Sequence, residues 1–362
     1  MIYLINLLLV PLYYLVLRMT MPRLKANQAF WWVVAVHAIL FRALANPYNY
    51  VDTDNYANAF RILGNWSLKH TVIDQNAFTD WGRGYLLYSW VVSRFTHEPK
   101  TFFFITSIVA VGGVMLYYRK TAYTALAPVL FYLAYPMMYI MGFGVIRQHL
   151  AIPFLLFALY YIEKPKRSLL LIVIASLIHV SSIVFIPFLL VHRLMKKLAF
   201  SEVAVIFILF FIVARFFIAV VLSYLPRYEL YLQAKSDNNT LPALIIGLLL
   251  VLLYEASVFT QAIGKNDRNL LQFLLYGFAL SVFCIGLPFG GRLTLPIIYL
   301  VPTVLSLLYQ YGSRYKDEYH LGVVCLFALL CVSLYLNIRN GDTQLLRYSF
   351  FWEKAIPFTY GR

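Results

Sequence analysis

Long apolar runs separated by short charged turns dominate the chain. A helix needs about 20 mainly apolar residues to cross the ~30 Å hydrocarbon core of a bilayer. Runs of roughly that length are predicted to be crossings, about ten in all: 2–18, 28–46, 101–118, 124–142, 145–162, 202–224, 241–262, 268–287, 293–310 and 319–337. The pattern therefore predicts an all-α, polytopic membrane protein.

Two further apolar stretches fit a full crossing poorly. Residues 84–95 are too few to cross and are rich in Tyr and Trp, which is typical of a helix lying at the membrane interface. Residues 168–192 could cross once, but His179, Ser181 and Ser182 interrupt the apolar run at its middle. We predict that this stretch is a re-entrant or broken helix pair, which enters the membrane and returns.

With that arrangement, every compact basic cluster lies on one side of the membrane, which holds 15 basic residues against 5 acidic ones. The positive-inside rule makes this side the cytoplasm. If either poor stretch crossed once, the later clusters would change side and the rule would fail. The clusters are Arg18/Arg23/Lys25, Arg119/Lys120, Lys164/Lys166/Arg167, Arg193/Lys196/Lys197, Lys265/Arg268 and Arg314/Lys316.

The longest polar segments then lie on the external side, at 47–100, 225–240 and the tail 338–362. We therefore expect the polar chemistry there, and we interpret residues 1–362 as a single integral membrane domain. The composition agrees, because 62% hydrophobic and 12% charged residues exclude a soluble enzyme, a disordered chain and a secreted disulfide scaffold. In so apolar a chain, the net charge of +15 indicates membrane topology rather than nucleic-acid binding.

The first external loop opens with an acidic pair, Asp52 and Asp54, directly after the second predicted crossing. An Asp-x-Asp pair can hold a divalent cation on a sugar phosphate, or one member can act as general base for a sugar hydroxyl. A turn or helix cap without any chemistry explains the same spacing, because Asp and Asn favour such turns. The spacing leaves these interpretations open.

Two residues at the membrane are candidates for phosphate chemistry. Arg147 begins a crossing at the external edge, and its planar guanidinium suits bidentate phosphate binding, although interfacial snorkelling is the alternative. His179 lies at the waist of the broken helix pair, the deepest point reached from outside. It could orient a pyrophosphate or accept a proton, or it could be a structural histidine bonded to a neighbouring helix.

Two external segments each contain an arginine, in one case beside tyrosines and in the other beside flexible glycines. PRYELY contains Arg227 and Tyr228, and GLPFGGR places Arg292 after two glycines. Each segment alone is typical of an interface anchor. Together, however, Arg147, Arg227 and Arg292 lie on one predicted membrane face. A site for a lipid-linked pyrophosphate needs two or more such cations.

The order of these pieces resembles the EpsG-like branch of the Wzy-type O-antigen and exopolysaccharide polymerases. The resemblance lies in VDTDNYANAF, GVIRQHLA and LIHVSS, and mainly covers residues 47–192. The C-terminal half is similar through RYELY and GGRL. One departure is that Arg83 precedes the Gly-Tyr of the interfacial helix, where family members often carry a Glu. This departure suggests a phosphate or sugar contact for Arg83.

The resemblance implies a GT-C-like fold and a periplasmic active site in the bacterial inner membrane. A glycan would move from undecaprenyl pyrophosphate onto the non-reducing end of a lipid-linked repeat unit. The arginines would neutralise the leaving pyrophosphate without an obligatory metal, and no cofactor is expected. The residues implicated are Arg147, His179, Asp52 and Asp54 as catalytic groups, and Arg292, Arg227, Arg83, Gln148, Tyr56 and Tyr228 as substrate contacts.

The expected partners are lipid-linked oligosaccharide and polymer, membrane lipids, a chain-length regulator and a flippase, but not nucleic acid. One alternative is another glycosyltransferase that uses a polyprenyl-phosphate sugar, with a metal at Asp52 or Asp54. The other is a lipid-linked oligosaccharide flippase or transporter. Transporters commonly show internal repeats and a charged midplane path. This chain shows no repeat and carries only Arg42, Arg215 and Glu255 inside predicted crossings.

Overall fold

The computed structural model of the chain is helical. It describes residues 2–50, 52–72, 81–195, 202–203, 205–210, 212–214, 243–250, 264–285, 287, 290–311, 321–322, 324–325, 327–329, 331–332, 335, 348–350 and 352–354. The helices are α1 (Ile2–Thr20), α2 (Arg23–Ala43), α3 (Thr53–Gly64), α4 (Leu68–Val72), α5 (Arg83–Ser93), α6 (Pro99–Thr121), α7 (Leu126–Ala134), α8 (Ile146–Tyr160), α9 (Pro165–Ile178), α10 (Ile186–Met195), α11 (Lys265–Cys284), α12 (Gly290–Ile298) and α13 (Val301–Tyr311).

Several of these helices have the length and composition of membrane spans, which confirms the predicted class. Helices α1, α2, α6 and the consecutive pair α12–α13 are long and apolar enough to cross a bilayer. Shorter apolar helices include α8. Within the described ranges, extended pairing is limited to one isolated bridge between Ala45 and Phe350. The predicted crossings at 202–224, 241–262 and 319–337 lie partly outside the described residues.

The helix predicted over 124–142 is interrupted. Helix α7 covers only its first half, because Pro136 disfavours helical backbone at the preceding residue. Tyr135 accordingly adopts an extended conformation, with ψ of 112°. The chain continues through turns to the short 3-10 helix Met141–Phe143, and α8 begins three residues later. A continuous crossing over this range was therefore a wrong prediction.

Residues 168–192 form two half-helices, as predicted. Helix α9 ends at Ile178, its C-cap residue His179 is extended at φ −145° and ψ 116°, and a 3-10 helix over Val180–Phe185 leads into α10. His192, near the end of α10, lies 3.5 Å from the carboxylate of Glu163, which precedes α9. The two ends of the pair therefore meet, so the chain turns back on itself within this stretch.

The predicted interfacial helix is α5, which packs with α3 over the starts of longer helices. Phe60 of α3 stacks on Phe102 of α6 with ring centroids 4.5 Å apart, and both rings are fully buried. Such a pair contributes roughly 0.5–1.5 kcal/mol beyond its buried area. The Trp90 indole of α5 also donates to the backbone carbonyl of Trp66, at 3.0 Å. These contacts fix α3 and α5 at one end of the bundle.

The two ends of the bundle differ in chemistry. At one end, which we call the basic end, two cavities that share Tyr123 bring together Arg18, Arg23 and Lys120. At the opposite end, the backbone N–H of Asn46 donates to the carbonyl of Ser349 at 2.7 Å. The first polar loop and the described part of the C-terminal tail therefore share one end, and the clusters that contain Arg18, Arg23 and Lys120 share the other. Lys196, Lys197, Arg314 and Lys316 lie outside the described residues. Residues 225–240 lie outside the described residues.

Candidate functional site

Arg147 lies within a cluster of aromatic rings at the end opposite the basic end. It is the second residue of α8, and its Nε donates to the hydroxyl of Tyr56 at 3.4 Å. Its guanidinium carbon is 5.0 Å from the ring centroid of Trp81 and 5.9 Å from that of Tyr56. Both distances fall in the cation–π range. The cluster therefore joins α3, the start of α5 and α8.

Tyr56 is the buried centre of this cluster. It is only 4% exposed, and its ring centroid lies 5.2 Å from that of Trp81. Burial raises the pKa of Tyr56, against the opposing effect of the Arg147 charge. The side chain is therefore a neutral hydroxyl at physiological pH. Because its oxygen accepts from Arg147, its own proton remains able to donate to a bound oxygen.

Arg292 approaches the same cluster from α12, where it is exposed in the first turn. The Gln148 side chain donates to the backbone carbonyl of Arg292, and this bond holds α12 against α8. The charges of Arg147 and Arg292 both act on Tyr56 and on His179. The structure thus brings together two of the three arginines that the sequence placed on one face. Arg227 and Tyr228 lie outside the described residues.

His179 is oriented by its own turn. Its Nδ1 lies 2.7 Å from the hydroxyl of Ser181, and the ring is partly buried between α9 and the following 3-10 helix. Within the part of the chain that the structure describes, Nε2 has no hydrogen-bond partner. The ring therefore offers Nε2 to a ligand, while Ser181 fixes its other nitrogen.

Two glycines let α5 approach this histidine turn. A Cβ on Gly82 would lie 2.2 Å from the carbonyl oxygen of Leu177 and 2.7 Å from that of Ile178. A Cβ on Gly84 would lie 2.8 Å from the Leu177 Cβ. Leu177 and Ile178 are the two residues immediately before His179. The bare backbone around Arg83 therefore packs directly against the break that positions His179.

Asp52 adopts a left-handed backbone conformation, with φ of 63°. It occupies the N-cap position of α3, but its carboxylate makes no capping hydrogen bond. Its charge instead acts on Tyr56. A helix cap therefore does not account for this carboxylate, which is exposed beside the cluster. Asp54 is exposed in the first turn of α3. No group of three or more potential metal ligands occurs among the described His, Cys, Asp and Glu residues.

The strained backbone at Asp52 predicts an unusual stability effect. Glycine adopts a positive φ without a steric cost, whereas an L-residue there is strained by roughly 1–2 kcal/mol. We expect Asp52→Gly to raise the free energy of unfolding by up to about 1 kcal/mol, measured by thermal unfolding in mild detergent. Asp54→Gly is the matched control, and it should lower stability by roughly 0.5–1 kcal/mol because Asp54 lies inside α3. Equal destabilisation by both changes would contradict the strain.

Other polar residues in the apolar helices have structural roles. His37 lies 2.6 Å from the Asn6 amide oxygen, and the Nδ1 of His149 lies 2.8 Å from the Val145 carbonyl oxygen. Gln148 bonds to backbone, so a substrate contact for it stays a prediction. Arg83 is exposed and makes no hydrogen bond or ion pair with any other described residue.

Arg42 was missed as a site residue by sequence reasoning, which noted it only as a charge within a crossing. Its guanidinium is buried, donates to the Gly142 carbonyl and lies 5.7 Å from the Phe143 ring centroid. None of the described carboxylates pairs with it. Arg42 thereby anchors the turn that precedes Arg147. A single charge near the end of an apolar run was the available signal.

Comparison with known proteins places these features in a family. A search of curated proteins and a search of solved structures found no match. The EpsG family model matches residues 30–350, a range that contains Asp52, Tyr56, Arg147, His179 and Arg292. The chain therefore belongs to the EpsG family, as the resemblance of its motifs predicted.

Proposed function

We propose that this protein is a polysaccharide polymerase. It transfers a growing glycan from undecaprenyl pyrophosphate to a hydroxyl of a lipid-linked repeat unit at the periplasmic face of the inner membrane. Membership of the EpsG family supports a polysaccharide polymerase-like role. The observation that carries the proposal is the contact of Arg147 with Tyr56 and Trp81, together with the bond from the neighbouring Gln148 to the backbone of Arg292. These contacts bring both arginines to one end of an apolar helical bundle, where their charges act on His179.

The arginines serve the leaving group. When the bond between the sugar and the pyrophosphate breaks, negative charge develops on the departing phosphate oxygen. Arg147 and Arg292 stabilise that charge, because guanidinium groups donate paired hydrogen bonds to phosphate in a fixed geometry. Trp81 and Tyr56 hold the Arg147 guanidinium in place, so it need not reorganise during the reaction.

The acceptor hydroxyl must lose a proton as it attacks the sugar carbon. His179 is one candidate to take it, because the tautomer that donates from Nδ1 to Ser181 has its lone pair on Nε2. The charges of Arg147 and Arg292 oppose protonation of this ring, so we expect it to act as a base only when the bound pyrophosphate neutralises them. Asp52 is the competing base, since its carboxylate is exposed beside Tyr56 and does not cap α3. Asp54 is the third candidate, although it is not among the charges that act on Tyr56. The rings of Tyr56 and Trp81 offer faces against which a sugar ring packs.

The positive-inside rule supports the orientation, because it places the basic end in the cytoplasm and the Arg147 cluster on the other side. The exposed apolar side chains of Leu177, Val180 and Ile183, which flank His179 in sequence, are suited to contact a polyprenyl tail. Arg83 and the external segment with Arg227 and Tyr228 remain proposed substrate contacts. A flippase that delivers repeat units and a chain-length regulator remain proposed partners.

The deciding experiment uses purified protein and defined lipid-linked repeat units. We expect the glycan to lengthen without nucleotide sugar or ATP, and lengthening to persist in EDTA, because guanidinium groups rather than a metal neutralise the leaving group. Gel separation of the labelled glycan measures the product. Loss of lengthening in EDTA would favour a metal-dependent glycosyltransferase. Movement of the lipid between leaflets without lengthening would favour a flippase.

A further inference from the structure

A second site lies at the basic end of the bundle, in a cavity of about 480 Å³. Its walls come from the end of α1, the start of α2 and the segment 123–127 that leads into α7. Helix α2 has 21 residues and runs from this cavity to the Arg147 cluster. At a rise of 1.5 Å per residue, roughly 30 Å separates the two sites. The cavity is therefore distinct from the proposed catalytic site.

Three residues that line this cavity each carry a buried polar atom without a hydrogen-bond partner. The Arg18 Nη1, the Asn27 Oδ1 and the Thr124 Oγ1 are buried, and none of them has a hydrogen-bond partner within the described structure. Buried polar groups in proteins are nearly always hydrogen-bonded, so orphans beside one cavity indicate a bound partner. The Arg18 nitrogen and the Thr124 hydroxyl can donate to that partner, whereas the Asn27 oxygen can only accept. The three residues come from three separate parts of the chain, namely the end of α1, the start of α2 and the segment before α7.

The charge of the cavity indicates the sign of that partner. Arg18 and Arg23 both line the cavity, and no carboxylate is among its lining residues. The Arg18 guanidinium carbon lies 5.9 Å from the Tyr14 ring centroid, which steadies its position without neutralising it. A guanidinium fork beside a hydroxyl is a donor set that suits phosphate oxygens.

The surroundings of the cavity indicate a lipid rather than a soluble phosphate. Leu12, Leu15 and Met19 of α1 are 50%, 57% and 78% exposed. Spacings of three and four residues place them in one stripe along α1. This stripe runs along the helix to the turn that carries Arg18. Acyl chains lying on the stripe would bring a phosphate to the level of the helix ends, where lipid headgroups lie.

We propose that this cavity binds the phosphate headgroup of an anionic membrane lipid, with Arg18, Arg23 and Thr124 holding the phosphate and the acyl chains lying along α1. Basic pockets between helices on the cytoplasmic side are a recurrent form of lipid recognition. The observations that carry this site are independent of the chemistry proposed for the Arg147 cluster.

Native mass spectrometry of the detergent-purified full chain tests the proposal. The protein is titrated with phosphatidylglycerol and, separately, with phosphatidylcholine. We expect the wild type to prefer phosphatidylglycerol, and Arg18→Gln to weaken that binding about tenfold because a charged hydrogen bond is lost. The matched control is Lys25→Gln, an exposed cation near Arg23 that does not line the cavity, and binding should stay within about twofold.

A second variant covers the case in which Arg18→Gln fails to fold. Thr124→Val removes the orphan hydroxyl at nearly constant volume, and we expect it to weaken phosphatidylglycerol binding while raising the melting temperature of the lipid-free protein. Equal binding of the two lipids by the wild type, or equal losses in Arg18→Gln and Lys25→Gln, would overturn the proposal. Displacement of the lipid by millimolar inorganic phosphate would assign the cavity to a soluble anion instead.

Discussion

Replacing Arg147 with Ala is expected to slow glycan lengthening by at least about 100-fold, the effect of removing one preorganised donor to a developing negative charge. The change removes a guanidinium that is held between Tyr56 and Trp81 and acts electrostatically on His179. The loss should appear in the turnover rate, because the leaving pyrophosphate gains its charge only as the bond breaks. The measurement is the initial rate of lengthening of a labelled lipid-linked repeat unit.

Arg147→Lys separates charge from geometry. An ammonium keeps the positive charge but loses the planar fork and much of the stacking on Trp81. We therefore expect an intermediate rate, about tenfold below the wild type. Arg292→Ala should also slow lengthening by at least about 100-fold, since both cations act on the same histidine.

Arg61→Ala is the matched control for these variants. Arg61 is an exposed arginine of α3 that donates to the Tyr48 hydroxyl at 3.1 Å and to Asn58 at 3.2 Å. It lies outside the Arg147 cluster, so we expect lengthening within about twofold of the wild type. Each variant must show the melting temperature of a folded protein. Normal polymerisation by both Arg147→Ala and Arg292→Ala would show that the proposed pyrophosphate site is wrong.

Much of the membrane architecture could be predicted, because apolar runs and basic turns record how a chain crosses a bilayer. The requirement that all basic clusters lie on one side of the membrane predicted that residues 168–192 turn back. The contact of His192 with Glu163 shows that the two ends of this stretch meet. The interfacial helix was predicted at 84–95 and forms over Arg83–Ser93. The break at His179 followed from three polar side chains in an apolar run. These are local signals.

The rest depends on contacts that no local pattern records. Tyr56 and Arg147 are 91 residues apart, and only the packing of α3 on α6, and of α6 on α8, brings them together. The left-handed conformation of Asp52 is a property of the turn into α3 and not of the Asp-x-Asp spacing. Even the interruption after α7 was missed, because strong apolarity over 124–142 outweighed the signal of Pro136.

The glycine contact beside His179 leads to the second large effect, which is expected for Gly82→Ala. Gly82 has φ −62° and ψ 134°, a conformation open to any residue, so glycine is required here for space alone. An added Cβ would lie 2.2 Å from the Leu177 carbonyl oxygen, which is far inside van der Waals contact. The backbone of α5 or of α9 must therefore move. Because His179 lies only two residues after Leu177, we expect this movement to displace the histidine.

We expect Gly82→Ala to lower the free energy of unfolding by about 3 kcal/mol, the upper range for overpacking. Lengthening should also fall by about 100-fold at temperatures where the variant is still folded, because small displacements of catalytic groups cost that much. Gly112→Ala is the matched control, since its Cβ would meet only Ile39 Cδ1 at 3.5 Å, an ordinary contact. That change lies inside α6 and should raise stability by roughly 0.5–1 kcal/mol. If Gly82→Ala instead behaves like Gly112→Ala in both measurements, the start of α5 does not pack on the turn that holds His179. The proposal that this contact positions His179 as a base would then be wrong.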